Sequence, residues 1–199
     1  AELPPLENLT KFLKMGSDIV IFSGGKDIAG PNDTGLILGR KELVDLCMRL
    51  GPHSYEVTDP KLNPYRRTIV FTGRPMKTSK EDVVGLITAL SEYLEVDHDR
   101  RIARYSERVD KMVKALSHQK TARVRNILPP YGHPRPLTIP RLELELKTPK
   151  AAQELVGGLK RNDPPILVWN IGNKVFVNPQ CMAEAEDAIV ASRLKKLLH

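Results

Sequence analysis

Apolar and polar positions sort this chain into alternating helix and strand signals. Ile19, Val20, Ile21 and Phe22 form a continuous apolar run of the kind that fits a strand buried on both faces, predicting a strand at Asp18–Phe22. A helix is expected near Leu6–Met15, a second strand at Gly35–Gly39 and a helix at Lys41–Leu50. His53–Arg67 is polar and proline-bearing and reads as a loop, followed by a strand-like stretch at Thr68–Thr72.

The pattern then turns helical. Thr78 or Ser79 stands ahead of Glu81 and Asp82, a helix start with acids in its first turn, and Val83, Val84, Leu86, Ile87, Leu90 and Leu94 follow as an apolar stripe. Asp97–Leu116 predicts a long charged helix and Ala122–Leu128 a strand, with a proline-rich turn at Pro129–Pro136. Arg141–Lys147 alternates with period two, and Thr148 is placed to cap a helix running through Leu159. Ile166–Asn178 reads as a hairpin around Gly172–Asn173, and Ala183–Leu198 as a closing helix. The pattern predicts an α/β chain with a boundary near residue 75: residues 1–75 form one part and residues 76–199 a small α/β layer domain.

The most informative stretch is VIFSGGKDIAGPNDTGLILGR, residues 20–40. Ser23, Gly24 and Gly25 end the first strand, and glycines let another group approach the backbone closely, so Lys26 can project into a cavity rather than into water. A partly desolvated amine can act as a nucleophile or form an imine with an aldehyde; an ordinary surface lysine after a strand is the alternative. A phosphate-binding P-loop is excluded, because residue 20 is Val and Asp27 follows the lysine where Ser or Thr is required.

Composition narrows the classes further. No run of apolar residues is long enough for a membrane span and no leader pattern is present, so a cytoplasmic protein with no membrane association is expected. Cys47 and Cys181 are far apart with no CxxC, and the histidines show no HxxxH or HExxH, so no metal site is expected. The net charge of +7 invites nucleic acid, but Arg100, Arg101, Arg104, Arg108, Lys111 and Lys114 alternate with Asp97, Asp99, Glu107 and Asp110, the pattern of a solvated helix face. Aromatics make up 5% and do not interleave with the cations, so a stacking platform for single strands is missing. No G-x-S-x-G supports serine hydrolase chemistry.

Arg74 stands between Gly73 and Pro75, so its backbone is constrained, and its planar guanidinium suits a carboxylate or phosphate; a structural salt bridge is the competing role. Tyr65, Arg66 and Arg67 are further residues that could face a site.

The string S-G-G-K-D-I-x-G-P-x-x-T-G-L-I-L-G-R-K-E-L, Ser23 to Leu43, resembles the lysine segment of the selenocysteine synthase-like family of fold-type-I pyridoxal-phosphate (PLP) enzymes. That family includes L-seryl-tRNA(Sec) selenium transferase and the D-glucosaminate-6-phosphate ammonia-lyase group. The resemblance continues through G-R-P-M-K-T-S-K-E-D-V-V-G-L, Gly73 to Leu86, and N-D-P-P-I, Asn162 to Ile166, and so covers nearly the whole chain.

It implies an aspartate aminotransferase-like fold: residues 1–75 as the C-terminal part of the large PLP-binding domain, residues 76–199 as the small domain. It implies PLP held by Lys26 as a Schiff base, Ser23 and Gly25 near its phosphate, and Arg74 on the substrate carboxylate. It also implies that a complete enzyme is about twice as long. The chain then starts just after an aspartate that pairs with the pyridinium nitrogen, the missing N-terminal portion of the same enzyme is a partner, and the assembly is a homo-oligomer. The function implied is a lyase, releasing ammonia or a β-substituent from an amino-acid or amino-sugar-acid substrate. The GRPMK stretch is nearer to the ammonia-lyase branch than to the selenium transferase, which would need tRNA. A non-catalytic structural or dimerising fragment is the other alternative.

Overall fold

A computed structural model describes residues 7–49, 51, 76–130 and 137–198. Two compact units divide the chain, Ala1–His98 and Asp99–His199.

The first unit is built on a hairpin. Strands β1 (Ile19–Ser23) and β2 (Gly35–Gly39) pair antiparallel, with Ile19 opposite Gly39 and Ser23 opposite Gly35. Helices α1 (Asn8–Lys14), α2 (Lys41–Arg49) and α3 (Lys80–Glu95) complete the unit. Ser79 caps α3, its hydroxyl accepting from the Asp82 N–H at 3.0 Å, which satisfies a donor the helix cannot use itself. Leu86 and Tyr93 of α3 join Leu9, Phe22 and Ile28 in a buried cluster, with Val20, Leu36, Leu38, Ala89 and Leu90 against it. At the far end of α3 a ring nitrogen of buried His98, Nε2, lies 2.9 Å from the Tyr93 carbonyl.

Two expectations are corrected here. The β1 run is not buried on both faces: Ile21 is 71% exposed and its cross-strand partner Ile37 41%. Only the Val20–Phe22 face meets the cluster, so the alternation of the pleat decides which apolar residues are covered. Likewise the apolar stripe of α3 is wider than the face it buries. Leu86, Ala89, Leu90 and Tyr93 turn inward, whereas Val83, Val84, Ile87 and Leu94 are exposed.

The second unit is a four-stranded antiparallel sheet, in the order β3 (Ala122–Ile127), β4 (Arg141–Leu146), β6 (Lys174–Val177), β5 (Trp169–Ile171). Its core joins residues of α4 (His98–Ala115), α5 (Pro149–Lys160) and α6 (Glu186–Leu197) to the sheet. Val109, Met112, Leu142, Leu144, Leu159, Val175, Val177 and Leu194 are each at most 1% exposed. Thr148 caps α5 through the Ala151 N–H at 3.1 Å, and Gly172 (φ 57°) takes the left-handed turn between β5 and β6. The predicted closing helix starts only at Glu186: Ala185 adopts φ 66°, and the Glu186 carboxylate instead accepts from the Ala183 N–H at 2.8 Å.

Two of the three alternating charged residues of β4, Arg141 and Glu143, are buried. Glu143, 3% exposed, pairs with Arg125 across β3 and lies 3.4 Å from Lys174 Nζ across β6. Arg141, 1% exposed, donates to the carbonyls of Ile139 and Pro140 at 2.8 and 3.2 Å, with its guanidinium 6.0 Å from the Trp169 ring. Burial lowers the Arg141 pKa to about 10, which still leaves it cationic at neutral pH. On α4 the expected solvated face is present at Arg104, Glu107, Asp110, Lys111 and Lys114, but Arg108 donates to the Met182 carbonyl at 2.5 Å. Among the described residues no helix is long and apolar enough to cross a membrane, and no cluster of three or more His, Cys, Asp or Glu could hold a metal.

Candidate functional site: the lysine turn

The hairpin raises Lys26 on the connection between β1 and β2. Gly24 N donates to Thr34 O at 2.9 Å, extending the ladder one step past Ser23–Gly35. Inside that closure the chain folds on itself: Ala29 N donates to Lys26 O and Gly30 N to Gly24 O, both at 2.9 Å. Ala29 sits in the left-handed region at φ 63°. Pro31 O accepts from the Thr34 hydroxyl at 2.6 Å.

The glycines are there for space. A Cβ on Gly24 would lie 2.3 Å from Thr34 Oγ1 and 2.5 Å from Leu86 Cδ1, and one on Gly25 2.6 Å from Asn32 Cα. At Gly25 any other residue would force the two arms of the turn apart, and at Gly24 it would displace the Thr34 hydroxyl and the Leu86 side chain. Ile28 is 2% exposed and Asp27 9%, so the residues after Lys26 anchor the turn while Lys26 itself is exposed. Within this chain the amine therefore reaches solvent instead of the cavity expected for it. The Ser23 hydroxyl accepts from Gly25 N at 3.3 Å, a local turn bond that leaves its own proton for another acceptor.

Ser23, Gly25 and Lys26 are thus brought together within one turn. Arg74, Tyr65, Arg66 and Arg67 lie outside the described residues. Sequence reading missed Thr34, which ties the returning arm, and Gly85 and Leu86 of α3, which rest on the turn. The signal for the last two was a glycine in the middle of a helix, where it is a poor helix former. Clefts of about 440 Å³ and 300 Å³ lie in the second unit, and neither is lined by Lys26 or Ser23.

No family model matches the chain. It is 27% identical over 196 residues to the 5'-C-glycyluridine monooxygenase-decarboxylase of Streptomyces sp., an alignment that covers 96% of this chain and 43% of that protein. Among solved structures it is similar to D-glucosaminate-6-phosphate ammonia-lyase, with a TM-score of 0.67 and 22% identity over 96% of this chain and 46% of that one. It is also similar to a SepCysS–SepCysE N-terminal domain complex (TM-score 0.52, 12% identity, 99% and 48% covered). A third is the apo cysteine desulfurase from Thermococcus onnurineus NA1 (0.51, 19%, 95% and 48%). The chain spans less than half the length of these relatives. At these identities the likeness carries architecture: the chain has the mixed α/β fold of the C-terminal part of the fold-type-I PLP-dependent enzymes.

Proposed function

We propose that this chain supplies the lysine-bearing part of a PLP-dependent enzyme of the selenocysteine synthase-like family, acting on an amino-acid or amino-sugar-acid substrate as a lyase. The observation that carries the reading is Lys26, exposed on a turn whose Gly24 and Gly25 have no room for a side chain, within this fold.

The turn fits the cofactor on its donor set. Lys26 offers the amine that would bind the PLP aldehyde covalently, the Ser23 hydroxyl retains a proton to donate to a phosphate oxygen, and the bare backbone at Gly25 permits close approach. When bound, PLP supplies an electron sink for charge developing at the substrate α-carbon. The Lys26 amine would remove or return the α-proton, and Arg74 would orient the substrate carboxylate. The rest of the site would come from the portion of the relatives that this chain does not span, and from a second copy in a homo-oligomer.

The 27% identity to a monooxygenase-decarboxylase supports a second reading, an oxidative decarboxylation on the same lysine turn. Selenium transfer is less favoured, since the exposed cations of α4 are dispersed among acids. The test incubates the chain with PLP, reduces with borohydride and locates the modified lysine by mass spectrometry; modification at Lys26, lost in Lys26→Ala, is the expected result. Modification only at other lysines would sink the assignment. In the assembled enzyme, ammonia release without oxygen uptake marks the lyase, and oxygen uptake with carbon dioxide release marks the second reading.

A further inference from the structure

Gly85 interrupts the middle of α3, a position where glycine is the poorest helix former short of proline. Space explains it: a methyl group there would lie 2.8 Å from Pro31 Cγ and 3.2 Å from Pro31 Cδ. Its neighbour Leu86, 7% exposed, places Cδ1 2.5 Å from where a Gly24 methyl would stand and 3.1 Å from that of Gly30. The three glycines on two elements therefore share one neighbour, α3 seated on the turn, to which Thr34 Oγ1 at 2.3 Å adds at Gly24 and Gly24 O at 3.1 Å adds at Gly30. Gly24 and Gly30 bracket Lys26, and Gly30 N donates to Gly24 O across its base.

We propose that Gly85 and Leu86 are positioning residues for Lys26. Helix α3 is the rest against which the turn is held, through Gly24 on the outgoing arm and Gly30 and Pro31 on the returning one, so the placement of the amine follows the placement of α3. The catalytic meaning of this contact rests on the assignment of Lys26 as the cofactor lysine; the contact itself does not.

The experiment measures amide hydrogen exchange by NMR in the 199-residue chain, at Ala29 and Gly30, whose N–H groups close the turn. Gly85→Ala should speed exchange at both by at least about tenfold, because α3 must back away from Pro31. Adding Pro31→Ala removes Cγ and Cδ, the atoms met by the new methyl, and should restore both rates to within about threefold of the unaltered chain. Amides of β4, in the other unit, should not move. Unchanged exchange in Gly85→Ala, or no recovery with Pro31→Ala, overturns the proposal. Should Gly85→Ala abolish the hairpin altogether, Leu86→Ala reads the same contact from its other side: faster exchange at Ala29 and Gly30 supports it and unchanged exchange overturns it. A parallel arm follows borohydride trapping of PLP at Lys26, expected to fall at least about fivefold in Gly85→Ala and to recover in the double variant. Exchange that behaves as expected with no PLP trapped at Lys26 in any variant establishes α3 as the rest of the turn and removes the cofactor reading instead.

Discussion

The two units hold their strands by different means. The second covers its sheet with an extended core in which Leu142, Leu144, Val175 and Leu194 are fully buried. The first has a two-stranded hairpin whose cluster holds five buried residues among those described, and it leaves Ile21 and Ile37 exposed. Backbone meets backbone at distances that exclude a Cβ at both ends of this hairpin, at Gly25 against Asn32 in the lysine turn and at Gly39 against Asp18. Apolar burial is non-directional and gives the second unit stability, whereas close backbone approach in the first unit fixes the position of a few atoms.

The comparison breaks most completely at Lys26. Lys26→Ala should eliminate PLP trapping and the visible absorbance of bound cofactor while leaving thermal unfolding unchanged, since the side chain is exposed. A loss of stability equal to that of a core variant would show the lysine to be structural. Next in size is Leu144→Ala, which removes a fully buried side chain and should cost the second unit about 2–5 kcal/mol in denaturant unfolding. Hydrogen exchange at the lysine turn should not respond. Gly24→Ala should cost the first unit about 1–3 kcal/mol through its clash with Thr34 and Leu86, and trapping at Lys26 should fall by far more than that stability loss explains. Equal trapping in the variant would refute the space argument.

Smaller effects sharpen the picture within the second unit. Glu143→Gln removes the carboxylate between Arg125 and Lys174; both cations are about one-third exposed, so water recovers part of the loss and about 1–2 kcal/mol is expected. Thr148→Ala should cost about 1 kcal/mol through the lost cap on Ala151 N, checked by the same unfolding experiment.

Much of the element order was legible because local chemistry decides it. β2 is at Gly35–Gly39 as the apolar run between glycines predicts, and Thr148 and Ser79 cap the helices they precede. Gly172 marks the turn of the last hairpin for the same reason: a left-handed φ suits glycine wherever the chain requires it. The cluster of Ser23, Gly25 and Lys26 was legible too, being contiguous. Less legible was anything that depends on which face a neighbour covers. The β1 run predicts two buried faces, yet residues of α1 and α3 join only its Val20–Phe22 face; the charges of β4 alternate as if for solvent, yet Glu143 and Arg141 are buried among partners from three strands and a preceding loop.

The sequence by itself determined the strand–turn–strand that presents Lys26, because glycine spacing, capping residues and apolar runs act over a few residues. The tertiary structure alone decided why a glycine stands in the middle of α3. Pro31 and Gly85 are far apart in the chain, and only when α3 is laid on the hairpin does the missing methyl of one make room for the ring of the other.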